Sequence, residues 1–198
     1  MKILLDKSPS QITEWSKRHK FEFWQLRTPL TKYAIGDKPY GLDNGCFSQF
    51  KEKTWYRMLD DARPHRPIFV CLPDIVGDAV RTLDLFDSFK AKTNRLPRAL
   101  VLQDGIGNHR IPWEDIAAVF VGGTDPFKTS TEAFNACKAA KMLGKWVHVG
   151  RVNTAKRTED WIGIADSIDG SGISQYDWMV RDVLNAIRGT HPQRRMFI

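Results

Sequence analysis

Along this chain, short apolar runs that stop at an Asp, a Gln or a pair of glycines alternate with longer stretches whose apolar residues recur three and four positions apart. The first rhythm is that of strands buried on both faces, and the second that of helices with one buried side. Residues 2–5 form the first apolar run, and Ser8-Pro9-Ser10-Gln11 then supplies capping serines for a helix expected to reach Lys20. Residues 21–26 alternate as a strand does. Residues 27–39 read as a turn-rich loop holding Pro29 and Pro39, and 40–42 as a short buried strand before Asp43-Asn44-Gly45. A helix is expected over 50–62, stopped near Pro64.

The second half repeats the rhythm more clearly. Residues 67–72 are continuously apolar and end at Pro73-Asp74, and 79–92 place Val80, Leu83, Phe86 and Phe89 at helical spacing. The runs 98–102, 117–121 and 145–149 end at Gln103-Asp104-Gly105, Gly122-Gly123-Thr124 and Gly150-Arg151, and the stretch 164–168 ends at Asp169-Gly170. Helices are expected over 131–143, 154–162 and 176–187. About eight strands, most of them followed by a helix, predict an α/β fold, a compact (β/α)8 TIM-like barrel, with an open doubly wound sheet as the alternative.

At 198 residues, 42% hydrophobic and 27% charged, the chain is long enough for one well-buried core, and a single domain over 1–198 is expected. No apolar run approaches the roughly 20 residues of a membrane-crossing helix, and Met1 to Asp6 is too short for a signal peptide, so a cytoplasmic protein is expected. Cys46, Cys71 and Cys137 lie far apart without metal-ligand spacing, which points to free thiols and to neither metal nor cofactor. Thirty Lys and Arg against 23 Asp and Glu leave a net charge of +7, concentrated in 17–20, 90–98 and Arg194-Arg195. Clustered cations suit a polyanion through counterion release, and a merely soluble basic surface accounts for the charge equally well.

The polar residues at the strand ends change that balance. Asp43, Asp74, Gln103, Gly122-Gly123, Gly150-Arg151 and Asp169 each follow a predicted strand, and in a parallel barrel all such ends open on one face. An ordinary turn explains any one of them, but not acids, an amide and glycines at successive strand ends.

These residues resemble a known set of motifs. Gly41-Leu-Asp-Asn-Gly-Cys-Phe-Ser48, Pro73-Asp-Ile-Val-Gly-Asp78, Leu100-Val-Leu-Gln-Asp-Gly105, Phe120-Val-Gly-Gly123, Trp146-Val-His-Val-Gly-Arg-Val-Asn153 and Asp166-Ser-Ile-Asp-Gly170 resemble, in order, those of the tRNA-guanine transglycosylase superfamily. They are most similar to its small DNA branch, the DpdA-type phage and bacterial enzymes that place 7-deazaguanine bases in DNA. The resemblance covers about residues 40 to 172. It implies that Asp169 is the nucleophile attacking C1′ of the sugar. Asp43, in Asp-Asn-Gly-Cys-Phe where the family has Asp-Ser-Gly-Gly-Phe, becomes a general acid/base. Gln103 and Gly122-Gly123 would read the base edge beside Gly150, with Asp74 or Asp78 as the second base-reading aspartate.

The implied chemistry is self-consistent: two displacements at a glycosidic carbon need one carboxylate to form a sugar ester and another group to handle the protons. The implied partners are double-stranded DNA and a free 7-deazaguanine such as preQ0, with Arg151 and Lys128 gripping phosphates beside a flipped-out nucleotide. The tRNA enzymes carry a cysteine-rich zinc subdomain after the nucleophile that this sequence lacks, which favours DNA over tRNA. The alternatives are a non-catalytic nucleic-acid-binding barrel and an unrelated barrel hydrolase with a metal in its acidic mouth. His148, inside an apolar run, reads as a satisfied core histidine, Cys46 as a packing residue, and Asp166 as a turn cap or interior residue.

Overall fold

The computed structural model describes residues 1–190, so the Arg194-Arg195 patch lies outside the described residues. Eight parallel strands close into a barrel in chain order. They are β1 (Lys2–Leu5), β2 (Phe23–Arg27), β3 (Tyr40–Leu42), β4 (Phe69–Cys71), β5 (Arg98–Leu102), β6 (Ala118–Val121), β7 (Trp146–Val149) and β8 (Ser167–Asp169). Seven helices among the described residues complete it: α1 (Pro9–His19), α2 (Glu52–Ala62), α3 (Ala79–Phe89), α4 (Thr131–Met142), α5 (Ala155–Trp161), α6 (Ser171–Gln175) and α7 (Asp177–Ile187). The expected (β/α)8 barrel is the fold, and the open sheet is not. Closure comes from β1 on β8, where Leu4 pairs with Asp169.

Alternation along the strands sorts the side chains into two shells. Outward residues such as Ile3, Leu5, Val70, Leu100, Val119, Val147 and Ile168 form the main core beneath the helices. Inward, Leu4, Leu26, Phe69, Cys71, Ala99, Val101, Ala118 and Phe120 form a smaller apolar cluster. Gly41 occupies the β3 position beside it because a Cβ there would collide with the Phe69 ring. Trp24 and Trp146 stack at 5.9 Å between centroids and close the floor at the amino-terminal end. The inward residues of β7 and β8 are polar: above Trp146 come His148, Ser167 and Asp169.

Loops leaving the mouth end in side-chain caps that start the next helix. Ser8 caps α1 with a reciprocal box to Gln11, Asp78 caps α3 by accepting from Arg81 N at 3.0 Å, and Ser130 caps α4 by accepting from Ala133 N at 3.1 Å. Three differences from the sequence expectation stand out. The second strand begins at Phe23 and not Phe21, because Phe21 turns its ring onto Phe23 at 5.1 Å before the ladder starts. The helix expected over 79–92 ends at Phe89 and tightens into a 3-10 turn over Lys90–Thr93. Helix α6 stands where the sequence pattern predicts none. Its first amides, Gly172 N and Ile173 N, donate to Asn153 Oδ1 at 2.8 and 3.2 Å, so its cap comes from the loop after β7.

Candidate active site

All the strand-end residues meet at the carboxyl-terminal mouth. An inner cavity of about 70 Å³ lies between Asp43, Asp74, Gln103, Lys128 and Asp169, walled by Val101 and Phe120. A wider cavity of about 600 Å³ adjoins it between residues 28–30, 48–51 and 171–175, and the two share Asp43, Phe47, Arg151 and Asp169.

On the β4–β5 side a hydrogen-bonded set fixes Asp74. Its Oδ1 accepts from Asn44 Nδ2 at 2.7 Å and its Oδ2 from Gln103 Nε2 at 2.6 Å. Gln103 Oε1 in turn accepts from Gly77 N at 2.9 Å, which settles the amide orientation and leaves one Nε2 hydrogen uncommitted. Asn44 spends its second hydrogen on Leu72 O at 2.5 Å. Burial raises the Asp74 pKa against the opposing effect of these donors. Gly122 is glycine because a Cβ would lie 2.7 Å from Gln103 Nε2, and Gly150 because a Cβ would lie 2.7 Å from the Phe120 ring. Gly123 has φ +67°, a conformation that L side chains rarely adopt.

On the opposite side, Asp169 is 14% exposed, and its Oδ1 meets His148 Nε2 at 3.1 Å and accepts from Arg151 N at 3.3 Å. No hydrogen bond from the described residues reaches Oδ2, and Asp169 lines both cavities. Arg151 holds a left-handed φ of 60°, donates from Nη2 to Gly123 O at 2.9 Å, and lays its guanidinium 4.1 Å from the centroid of the Phe47 ring. Phe47 is 63% exposed at the boundary of the two cavities.

Half-buried Asp43 stands between these sides. Burial, then the Asp169 charge and more weakly that of Asp74, push its pKa up to about 7. The folded protein therefore binds a proton between the ordinary aspartate pKa and pH 7 that the unfolded chain releases, so stability falls as pH rises through that window. The full loss above pH 7 is on the order of 4 kcal/mol. Asp43→Asn is accordingly expected to melt at a higher temperature than the wild type at pH 8, with the difference shrinking toward pH 4; equal shifts at both pH values would show that the site does not strain this carboxylate.

Of Asp74 and Asp78, Asp74 lines the inner cavity, whereas Asp78 caps α3. Lys128 departs from expectation. A 3-10 turn over Phe127–Thr129 tucks it inward, so it is 1% exposed, and its Nζ donates to Gly150 O at 2.6 Å inside the cavity wall. It is not placed to grip phosphates at a rim. Burial, with Arg151 nearby, lowers its pKa to about 8, and no carboxylate among the described residues lies within ion-pair distance of it. Asp166 sits at the start of β8, away from the mouth, held by Lys141 Nζ at 2.5 Å and Val147 N at 2.9 Å. Cys46 accepts from Asp74 N at 3.4 Å, and burial pushes its pKa up to about 12, which suits packing and not nucleophilic attack. His148 is buried with both nitrogens satisfied, as expected, but one partner is Asp169. Asn44 is a site residue that the sequence pattern does not single out, and His148 is one that it assigns to the core.

No protein-family model and no curated protein matches the sequence. A solved structure from Aquifex aeolicus VF5, described as a structural study of Project ID, is similar at 15% identity with a TM-score of 0.40 over 78% of this chain. This chain spans 61% of that one, and the likeness bears on neither activity nor substrate. The site's chemistry therefore rests on its own geometry. One carboxylate, Asp169, has an oxygen that no hydrogen bond from the described residues reaches, burial and neighbouring charge push the pKa of a second, Asp43, up to about 7, and an acceptor, an amide donor and an ammonium surround one small cavity. Among the described residues, no group of three His, Cys, Asp or Glu side chains is arranged to hold a metal ion. No helix among them is long and apolar enough to cross a membrane.

Proposed function

We propose that this barrel replaces guanine in double-stranded DNA with a 7-deazaguanine such as preQ0, through a covalent ester between Asp169 and C1′ of the deoxyribose. The observation that supports this reading most is the order of groups round the inner cavity: Asp74 after β4, Gln103 after β5, Gly122-Gly123 after β6, then Lys128, and Asp169 at the end of β8. A guanine perimeter runs in the same order, with donors at N1 and N2, acceptors at O6 and N7, and the sugar on N9. Asp74 accepts from N1–H and N2–H, and the uncommitted Gln103 hydrogen donates to O6. Lys128 Nζ meets N7 of the outgoing guanine or the nitrile of incoming preQ0. Such a pose leaves C1′ facing Asp169.

Exchange then runs in two displacements. Asp169 Oδ2 attacks C1′ and the C1′–N9 bond breaks, its electron pair going to guanine, which takes the proton of neutral Asp43. The 7-deazaguanine enters, gives its N9 proton to the Asp43 carboxylate, and its N9 displaces Asp169 from C1′. Two inversions restore the sugar configuration, as in retaining glycosidases. A guanine paired in a duplex cannot reach a cavity inside a barrel mouth, so the nucleotide must flip out. The wider cavity takes its sugar and phosphates, while exposed Phe47, braced by Arg151, offers a ring on which a base can stack.

Incubation with labelled preQ0 and either duplex DNA or bulk tRNA is expected to put label into DNA alone. Incorporation should fall steeply with salt and rise at a mismatched guanine, where flipping costs a few kcal/mol less. Label in tRNA and not in DNA would overturn the polymer assignment. DNA binding without label in either would favour a non-catalytic binding barrel.

A further inference from the structure

A line of hydrogen bonds runs up the polar side of the barrel interior to the attacking carboxylate. Trp146 Nε1 donates to Ser167 Oγ at 2.8 Å, Ser167 Oγ lies 2.8 Å from His148 Nδ1, and His148 Nε2 lies 3.1 Å from Asp169 Oδ1. Ser167 and His148 are fully buried, and the imidazole lies between the rings of Phe69 and Phe120, at 4.9 and 4.7 Å between centroids.

The donor inventory fixes the direction of this line. An indole N–H only donates, so Ser167 Oγ accepts from Trp146; the Asp169 carboxylate only accepts, so the ring turns an N–H from Nε2 toward it, and the Ser167 hydrogen, with no other acceptor among the described residues, goes to His148 Nδ1. With Nδ1 accepting, the ring's hydrogen sits on Nε2 and points at Asp169 Oδ1. We infer that His148 is a positioning residue for Asp169: set in the Nε2–H tautomer by Ser167 and Trp146, it holds Oδ1 so that Oδ2 alone is free to attack C1′. This inference rests on the proposed exchange reaction for its consequence, though not for its geometry. A histidine serving only to fill space between Phe69 and Phe120 would gain from being a phenylalanine, which leaves no polar atom to satisfy.

The contact matters at both displacements. In the sugar ester Oδ1 is the carbonyl oxygen, and as N9 of the entering base displaces the ester, negative charge returns to the carboxylate. His148 Nε2–H and Arg151 N–H both meet that charge at Oδ1 without having to reorganise. No proton need move along the line; its part is orientation and charge stabilisation.

Three variants and one spectrum test this. His148→Phe keeps the ring packing and loses both nitrogens; His148→Gln places an amide N–H within reach of Oδ1. Exchange turnover is expected to fall roughly 10²-fold in His148→Phe, the scale for a lost donor to a developing charge, with KM for preQ0 and DNA affinity nearly unchanged. His148→Gln should recover most of that loss. Equal turnover losses in the two variants at equal melting temperature, or a loss that appears only in KM, would overturn the positioning role. Independently of activity, nitrogen NMR of the wild type is expected to show His148 protonated on Nε2 and bare on Nδ1, and Ser167→Ala should disturb that state. A ring protonated on Nδ1 overturns the inference even where exchange is observed. A wild type with the expected tautomer that exchanges no base keeps the geometry and removes the proposed function instead.

Discussion

Asp169→Asn is expected to lose base exchange by at least about 10⁴-fold, the scale seen when an enzyme's covalent nucleophile is removed, while folding and binding DNA much as the wild type does. The asymmetry follows from where the substitution acts. Asn keeps the shape of the side chain, and its Oδ1 can still accept from His148 Nε2 and Arg151 N, so the polar side of the barrel stays paired. What disappears is the carboxylate Oδ2, the oxygen of the two that no donor among the described residues occupies. A trapped protein–DNA adduct, denatured and resolved by mass, should appear with the wild type in the absence of a second base and be missing from the variant. Substantial exchange by Asp169→Asn would remove the ester from the mechanism whatever the polymer. An adduct on another carboxylate would move the nucleophile.

The barrel is legible in the sequence because a strand buried on both faces leaves a continuous apolar run. Runs as short as 67–72 and 117–121, set between regularly spaced helical stretches, fit little except such strands. Strand closure brings every run's end to one rim, so naming Asp43, Asp74, Gln103 and Asp169 requires only finding where the runs stop. Helix α6 escapes because its start is set by Asn153, 19 residues before Gly172, and no local cap stands in front of it. Gly170 and Gly172 look like an ordinary turn in sequence; their absent side chains make room for the Asn153 carboxamide.

The site is legible in its positions and not in its contacts. Lys128 follows a strand end as Arg151 does, and in sequence both look like rim cations; a 3-10 turn buries one while the other stays at the cavity boundary. Asn44 sits in an Asp-Asn-Gly stretch that reads as a turn, which hides that its amide bridges Leu72 O and Asp74 across 28 and 30 residues. His148 gives no sign of its role either, since an inward histidine on an apolar strand means core until its neighbours are known. Pairing of β7 with β8 sets His148 against Ser167, and Asp169 follows on the same face two residues on. The strand ends name the groups that meet at the mouth, and the register between strands decides which side chains touch them.

Asp43→Asn is expected to slow exchange by roughly 10²–10⁴-fold, the usual worth of a positioned general acid/base, and to remove the pH dependence that this group imposes. In the proposed reaction Asp43 must be neutral to protonate the departing guanine and ionised to deprotonate the entering base. With burial and the neighbouring carboxylates holding its pKa near 7, both forms are populated at neutral pH. The two half-reactions should therefore have opposite limbs. Adduct formation in a single turnover should be fastest below pH 7 and decline about tenfold per unit above it, because the acid form is being lost. Discharge of the adduct by preQ0 should decline by the same factor per unit on the acid side, because the base form is being lost; that limb starts below pH 7, since the ester removes the Asp169 charge that helps raise the Asp43 pKa, so steady-state exchange peaks on the acid side of neutrality. In Asp43→Asn both half-reactions should be slow and lose these limbs. Retained limbs at reduced rate would assign the proton transfers to another group, and a wild-type rate would make Asp43 structural.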